Sequence, residues 1–194
     1  IVDTSFATRA REAAGLAAIY NAFLLVGLPI ALLGQAVGQA AFPRLTAHAE
    51  RAEWQPMRRT LFRTLAAVIG LAIPAIAALI GLGRPTIRIL FEHGEYNAAA
   101  GDLTYLILVV YAIALPSYVI TEVVTRGLIA LRDTRTPLIT NTAQLVGRPI
   151  IILLLIAQLG VVAIPAAFAI TATLETITLT IVLLTKLRRR LAML

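Results

Sequence analysis

The sequence predicts an all-α, polytopic membrane protein, a transmembrane helix bundle of about five spans. Three observations carry this expectation. Of 194 residues, 59% are hydrophobic and only 14% charged, with a mean hydropathy of +0.88; soluble domains run at about 45–50% apolar and about 25% charged. Several apolar runs reach the roughly 20 residues that a helix needs to cross a bilayer. The basic residues gather between those runs, so the net charge of +7 is read as membrane orientation and not as nucleic-acid binding. There is no cysteine, which excludes disulfides. The chain opens on IVDTSFATRA, without Met or a basic-then-apolar start, and is expected to be part of a larger protein.

Taken in order, the spans are expected at about 16–43, 65–83, 103–131, 137–158 and 161–185. Pro29, Pro116, Pro149 and Pro165 fall inside them. Proline removes a backbone donor, and lipid tolerates that loss where a neighbour or cavity satisfies the freed carbonyl. Broken helices around a cavity are therefore expected. Residues 44–63 are polar and basic, with Trp54 and Leu61 able to lie on a surface, and read as an interfacial amphipathic segment. Residues 84–100 read as a second interfacial segment, its short helix ended by Gly94. In RDTRTP, Thr136 is expected to cap the fourth span with Pro137 at its first position. Residues 158–160 read as a tight hairpin, and such short hinges make neighbouring spans antiparallel.

Charge sets the orientation. Residues 44–63, the hinge 132–137 and the C-terminal run at Lys186–Arg190 hold eleven basic residues and fall on one side of such a bundle. Arg9, Arg11, Arg84 and Arg88 fall on the other. The positive-inside rule places the eleven in the cytoplasm of a plasma-membrane protein.

Four ionisable residues remain inside spans: Glu122, Arg126, Arg148 and Glu175. At a rise of about 1.5 Å per residue, Arg126 lies about 9 Å deep and the other three about 15–17 Å deep. A charge facing lipid there costs at least about 3 kcal/mol, so all four are candidates for a wet interior, near one another. Glu122 and Arg126 are spaced to pair along one helix face. The functional expectation is a substrate site for a polar or anionic group, or a proton relay; the alternative is an ion-pair network that only fixes packing. His48 and His93 stand in hinges without clustered carboxylates, so no metal site is expected. No phosphate-cradling glycine loop or nucleophile elbow points to an enzyme, and no cofactor is expected.

The stretches LPIALLGQAVGQAAFPRLTAHA, IRILFEHGEYNAAAGDLTYLILVVYAIALPSYV and TRGLIALRDTRTPLIT resemble the MviN/MurJ family in order and spacing. The most specific pieces are the Phe-x-x-Gly run at Phe91–Gly94 and the hinge at Ala130–Pro137. The resemblance implies the two-lobed fold of the multidrug/oligosaccharidyl-lipid/polysaccharide exporter superfamily. Residues 1–10 would end its seventh helix, and the five spans would be helices eight to twelve, most of the C-terminal lobe. It further implies a lipid II flippase moving an anionic, lipid-linked peptidoglycan precursor for cell-wall biogenesis and cell shape, by alternating access against an N-terminal lobe of the same protein. The sequence departs from the family pattern at Leu24, where an Arg is common, at Glu122, where a basic residue is common, and at Arg148 and Glu175, where polar neutral residues are common. Arg126 matches a recurrent family Arg. These departures leave open a same-superfamily exporter of a polysaccharide lipid or organic cation, and a non-transporting membrane scaffold.

Overall fold

Each apolar run of the sequence is helical in a computed structural model of the protein, which describes residues 2–94 and 96–192, with side chains described from residue 14 onward. Helix α1 (Val2–Pro29) passes through a π-helical stretch, Ile30–Ala36, into α2 (Val37–Glu50). Then follow α3 (Trp54–Phe91), α4 (Ala98–Ala130), α5 (Arg135–Leu159), a 3-10 turn at Gly160–Val162, and α6 (Ala163–Leu191). Among the described residues, four helical runs are long and apolar enough to cross a membrane: Ala14–Glu50, Trp54–Phe91, Ala98–Ala130 and Arg135–Leu191. The last, 57 residues long, folds back at Gly160 (φ 53°) into the antiparallel pair α5 and α6. Five passes result. Arg9 and Arg11 lie among the side chains outside the described set.

Side-chain pairings give the directions. Phe23 meets Tyr111, and Gly34 meets Glu122, so the first pass runs parallel to α4. Tyr105 donates to the Ile80 carbonyl, and Gly127 meets Leu61, so α3 runs antiparallel to α4. Ser117 bonds Thr173 and Thr121 bonds Thr176, so α6 runs parallel to α4. Helix α4 is thus the hub, and Ile107, Leu108, Leu115, Val119, Val123, Val124 and Leu128 are fully buried along it. Helix α5 packs mainly on α6 and has no fully buried residue.

Several local expectations change. Residues 54–63 and 84–91 are the two ends of one continuous α3, not separate segments. At about 1.5 Å per residue, its 38 residues make a rod of about 57 Å, against a hydrocarbon core of about 30 Å. Arg, Gln, Met and Leu all favour helix, so polarity alone does not end it. The helix stops at Phe91, three residues before Gly94, which adopts φ 61° in the following turn. Residues 44–50 likewise extend the first pass, and α1 runs without a turn from Val2 into it. The helices are also less broken than the prolines suggested. Pro74, in the second span, joins the others, yet Pro74, Pro116 and Pro149 all sit within uninterrupted α-helix. Pro165 stands in the first turn of α6, where its missing N–H leaves no bond unmade. Among the described residues, Pro29 is the span proline that is followed by a change of ladder, into the π-helical stretch.

The side chain that caps the start of α5 is that of Asp133, one residue before the N-cap Thr134, and not that of Thr136. Its carboxylate accepts from the Thr136 N–H (3.1 Å), the Thr136 hydroxyl (2.5 Å) and the Lys186 ammonium on α6 (2.6 Å). Burial pushes this carboxyl up, but the Lys186 and Thr136 donors outweigh it and hold it down at about 2. The stabilisation is therefore complete above the unfolded value near 4 and is lost as pH falls through about 2. Asp133→Asn should lower the stability of the full-length protein at pH 7 by about 2 kcal/mol. In detergent melts from pH 7 to pH 3 the gap to the wild type should start to close near pH 4; a gap independent of pH would refute the linkage.

Candidate functional site

The four ionisable residues inside the spans form two groups. On α4, Arg126 Nη1 donates to the Glu122 carboxylate (2.6 Å) and to the Glu122 carbonyl (3.2 Å). Both side chains are partly buried, at 19% exposure for Arg126 and 32% for Glu122. The space they occupy is made by two glycines on the facing pass. A Cβ on Gly34 would lie 3.2 Å from Glu122 Cγ, and one on Gly38 would lie 3.1 Å from Arg126 Cδ. The π-helical stretch ends between these two positions, at Ala36.

The second group lies between α5 and α6. Glu175 accepts from Thr140 (3.2 Å) and from the Gln144 amide (2.8 Å), and the Gln144 oxygen accepts from Arg148 Nη2 (2.8 Å). The Arg148 guanidinium lies over the Phe168 ring, 4.1 Å from its centroid. That ring in turn meets Phe23, Tyr111 and Tyr118, with centroids 5.1–6.1 Å away. Arg148 Nε and the Tyr118 hydroxyl are both buried without a partner. A fixed positive charge thus sits in an aromatic cradle with donor capacity left over, which suits an anionic oxygen. A cleft of about 370 Å³ opens beside Thr140, Gln144 and Glu175.

Arg148, expected near Glu122 and Glu175, forms no ion pair with either among the described residues. The reason is geometric. Arg148 stands one turn after Gln144, so its side chain runs along its own helix, and Glu175 meets the amide instead. An amide carries both a donor and an acceptor, so Gln144 bridges the two charges. Glu122 is satisfied by Arg126 on the α1 side of α4, while α6 meets α4 through Ser117 and Thr121. Gln144, Thr140, Phe168, Tyr111 and Tyr118 were not singled out from the sequence. The i, i+4 spacing of Gln144 and Arg148 was the available signal.

The charge clusters segregate along the bundle. Arg190 stacks on Trp54 (5.2 Å), Lys186 pairs with Asp133, and Arg132 and Glu50 line one cleft, so the three basic regions meet at one end. At the other end Arg84 binds Glu92 (2.5 Å) and Asp102 (2.7 Å). Among the described residues no three His, Asp or Glu side chains come together as a metal site would require.

This arrangement defines a multi-pass α-helical membrane protein with charged side chains sequestered between its spans. A family model described as lipid II flippase MurJ matches residues 1–193, and the chain belongs to that family. Similar proteins include a probable lipid II flippase MurJ of Rhizobium tropici, 28% identical over 63% of this chain and 23% of that protein. Another, from Rhizobium meliloti (strain 1021), is 27% identical over 72% of this chain and 26% of its own length. The chain therefore spans about a quarter of these curated relatives. A solved structure of lipid II flippase MurJ in an inward closed conformation superposes with a TM-score of 0.74 over 85% of this chain and 35% of that one. At 24% identity that likeness speaks to the fold.

Proposed function

We propose that the chain is most of the C-terminal lobe of a lipid II flippase, and that it helps carry a lipid-linked anionic precursor across the plasma membrane without catalysing a reaction. The family match over residues 1–193 carries this reading. The site supports it: Arg126 and Arg148 supply positive potential between spans, and Glu122 and Glu175 balance it, directly in one group and through Gln144 in the other. The working partner is the remaining, N-terminal lobe. In this reading the basic end of the bundle faces the cytoplasm, since eleven basic residues gather there against four at the other end.

The test is complementation. The full-length protein containing this segment should restore growth to cells depleted of their own lipid II flippase, whereas residues 1–194 alone should insert and fail to do so. Full-length protein that inserts without rescue would remove lipid II as the cargo, and rescue by the segment alone would remove the need for a second lobe.

Orientation is tested separately by an impermeant thiol reagent on intact cells. His93→Cys should label and Arg51→Cys should not, both positions being exposed. The opposite pattern would invert the topology.

A further inference from the structure

At the basic end, the start of α3 and the end of α6 leave a groove of about 540 Å³ that the transport reading does not use. Arg58 and Arg188 line it at its outer level, and neither has a carboxylate within ion-pair distance among the described residues. Phe62 and Leu184 line the same groove about one helical turn deeper than the arginines, and Ile181 about two turns deeper. Phe62 is 46% exposed and Ile181 59%, although both are apolar. The Arg58 guanidinium sits over the Phe62 ring, 5.7 Å from its centroid, so the charged rim and the apolar floor are in contact.

The layering follows from the helix directions. Helix α3 enters the bilayer as its numbering rises, and α6 leaves it as its numbering rises. Arg58 therefore lies outward of Phe62, and Arg188 outward of Leu184 and Ile181, so both arginines stand toward the outer end of the groove. A charged rim above an apolar floor, open to the side of the bundle, matches one kind of molecule. It matches a phospholipid, with an anionic head group at the rim and an acyl chain along the floor. Two guanidiniums present more donors than one phosphate diester can use, and an uncharged head group would leave the rim unbalanced. Clustered basic residues beside a span favour anionic lipid by about 1 kcal/mol per residue near the surface.

We infer that the groove between α3 and α6 is a binding site for an anionic phospholipid, held by Arg58 and Arg188 over Phe62, Ile181 and Leu184. The lipid acts there as a wedge fastening α3 to α6 at the membrane surface. Neither Arg126 nor Arg148 lines the groove.

The experiment uses the full-length protein in nanodiscs of phosphatidylcholine doped with phosphatidylglycerol, followed by release into detergent and native mass spectrometry of the retained lipid. Arg58→Gln and Arg188→Gln should each weaken phosphatidylglycerol retention about fivefold, and the double variant roughly 30-fold. Arg58→Lys with Arg188→Lys should keep most of it. Arg59→Gln with Arg189→Gln, which lie outside the groove, should leave it unchanged. Inorganic phosphate at millimolar concentration should not displace the lipid, because the apolar floor would then have no occupant. The inference fails if the two pairs of variants behave alike, if phosphate competes as well as lipid does, or if thiol labelling of Phe62→Cys shows the groove covered by another part of the full-length chain.

Discussion

Arg126→Ala in the full-length protein will reduce its stability by about 3 kcal/mol and sharply lower its abundance in the membrane. The substitution leaves the Glu122 carboxylate facing Gly34 with its ion-pair partner gone. Breaking a sequestered pair from one side costs more than removing both partners, because the surviving charge stays desolvated. Arg126→Ala with Glu122→Ala should therefore recover most of the lost abundance. Quantifying the membrane-embedded protein for the two single variants and the double decides the matter. If Arg126→Ala and the double variant accumulate equally, the carboxylate is solvated and the pair contributes no packing.

Arg148→Ala should separate stability from transport. Because Gln144 stands between Arg148 and Glu175, the carboxylate keeps both of its own donors when the guanidinium is removed. The folding cost is then limited to one charge-assisted hydrogen bond and the stack on Phe168, about 3 kcal/mol at most. Transport should nevertheless fall to background, since the loss takes away the positive charge of this group, whose Nε has no protein partner. Gln144→Leu should do the reverse: it strands Glu175 on Thr140 alone and lowers abundance while leaving the guanidinium in place. Flipping of a fluorescent lipid II in proteoliposomes, normalised to inserted protein, distinguishes the two. Normal transport by Arg148→Ala at normal abundance would mean that the residue only packs.

The helices were legible because lipid imposes a length and an apolar content that few soluble sequences share, and each of the five expected spans falls in helix. Their ends were not. Arg58, Arg59, Arg63, Arg84 and Arg88 look like a departure from the membrane, yet arginine is a good helix former, and α3 carries all of them without a break. The cap at Asp133 was missed in favour of Thr136 because both fit the pattern, and only the approach of Lys186 from a distant helix selects between them. Of the candidate site residues, the Glu122–Arg126 pair could be read from spacing, since it lies along one helix. The Arg148–Gln144–Glu175 chain could not, because it depends on which residues of α5 and α6 come level after the hairpin. Formal charge drew the reading to Arg148 and Glu175 and passed over the neutral amide that joins them. Gly34 and Gly38 stand on one span, whereas their effect falls on Glu122 and Arg126 of another, which spacing along the sequence does not show.

The hairpin at Gly160 also bears on how the protein is made. Helix α5 leaves the ribosome first, carrying Gln144 and Arg148 into a bilayer where they have only each other as partners. Helix α6 follows after only the short Gly160 turn and brings Glu175 and Phe168, which complete both contacts. The two helices are thus expected to leave the insertion machinery together, with α5 waiting at the protein-lined exit until its partner arrives. Synthesis that halts before Glu175 would strand a charged helix at the gate, and the nascent chain itself would report, by its delay, that the next helix is missing.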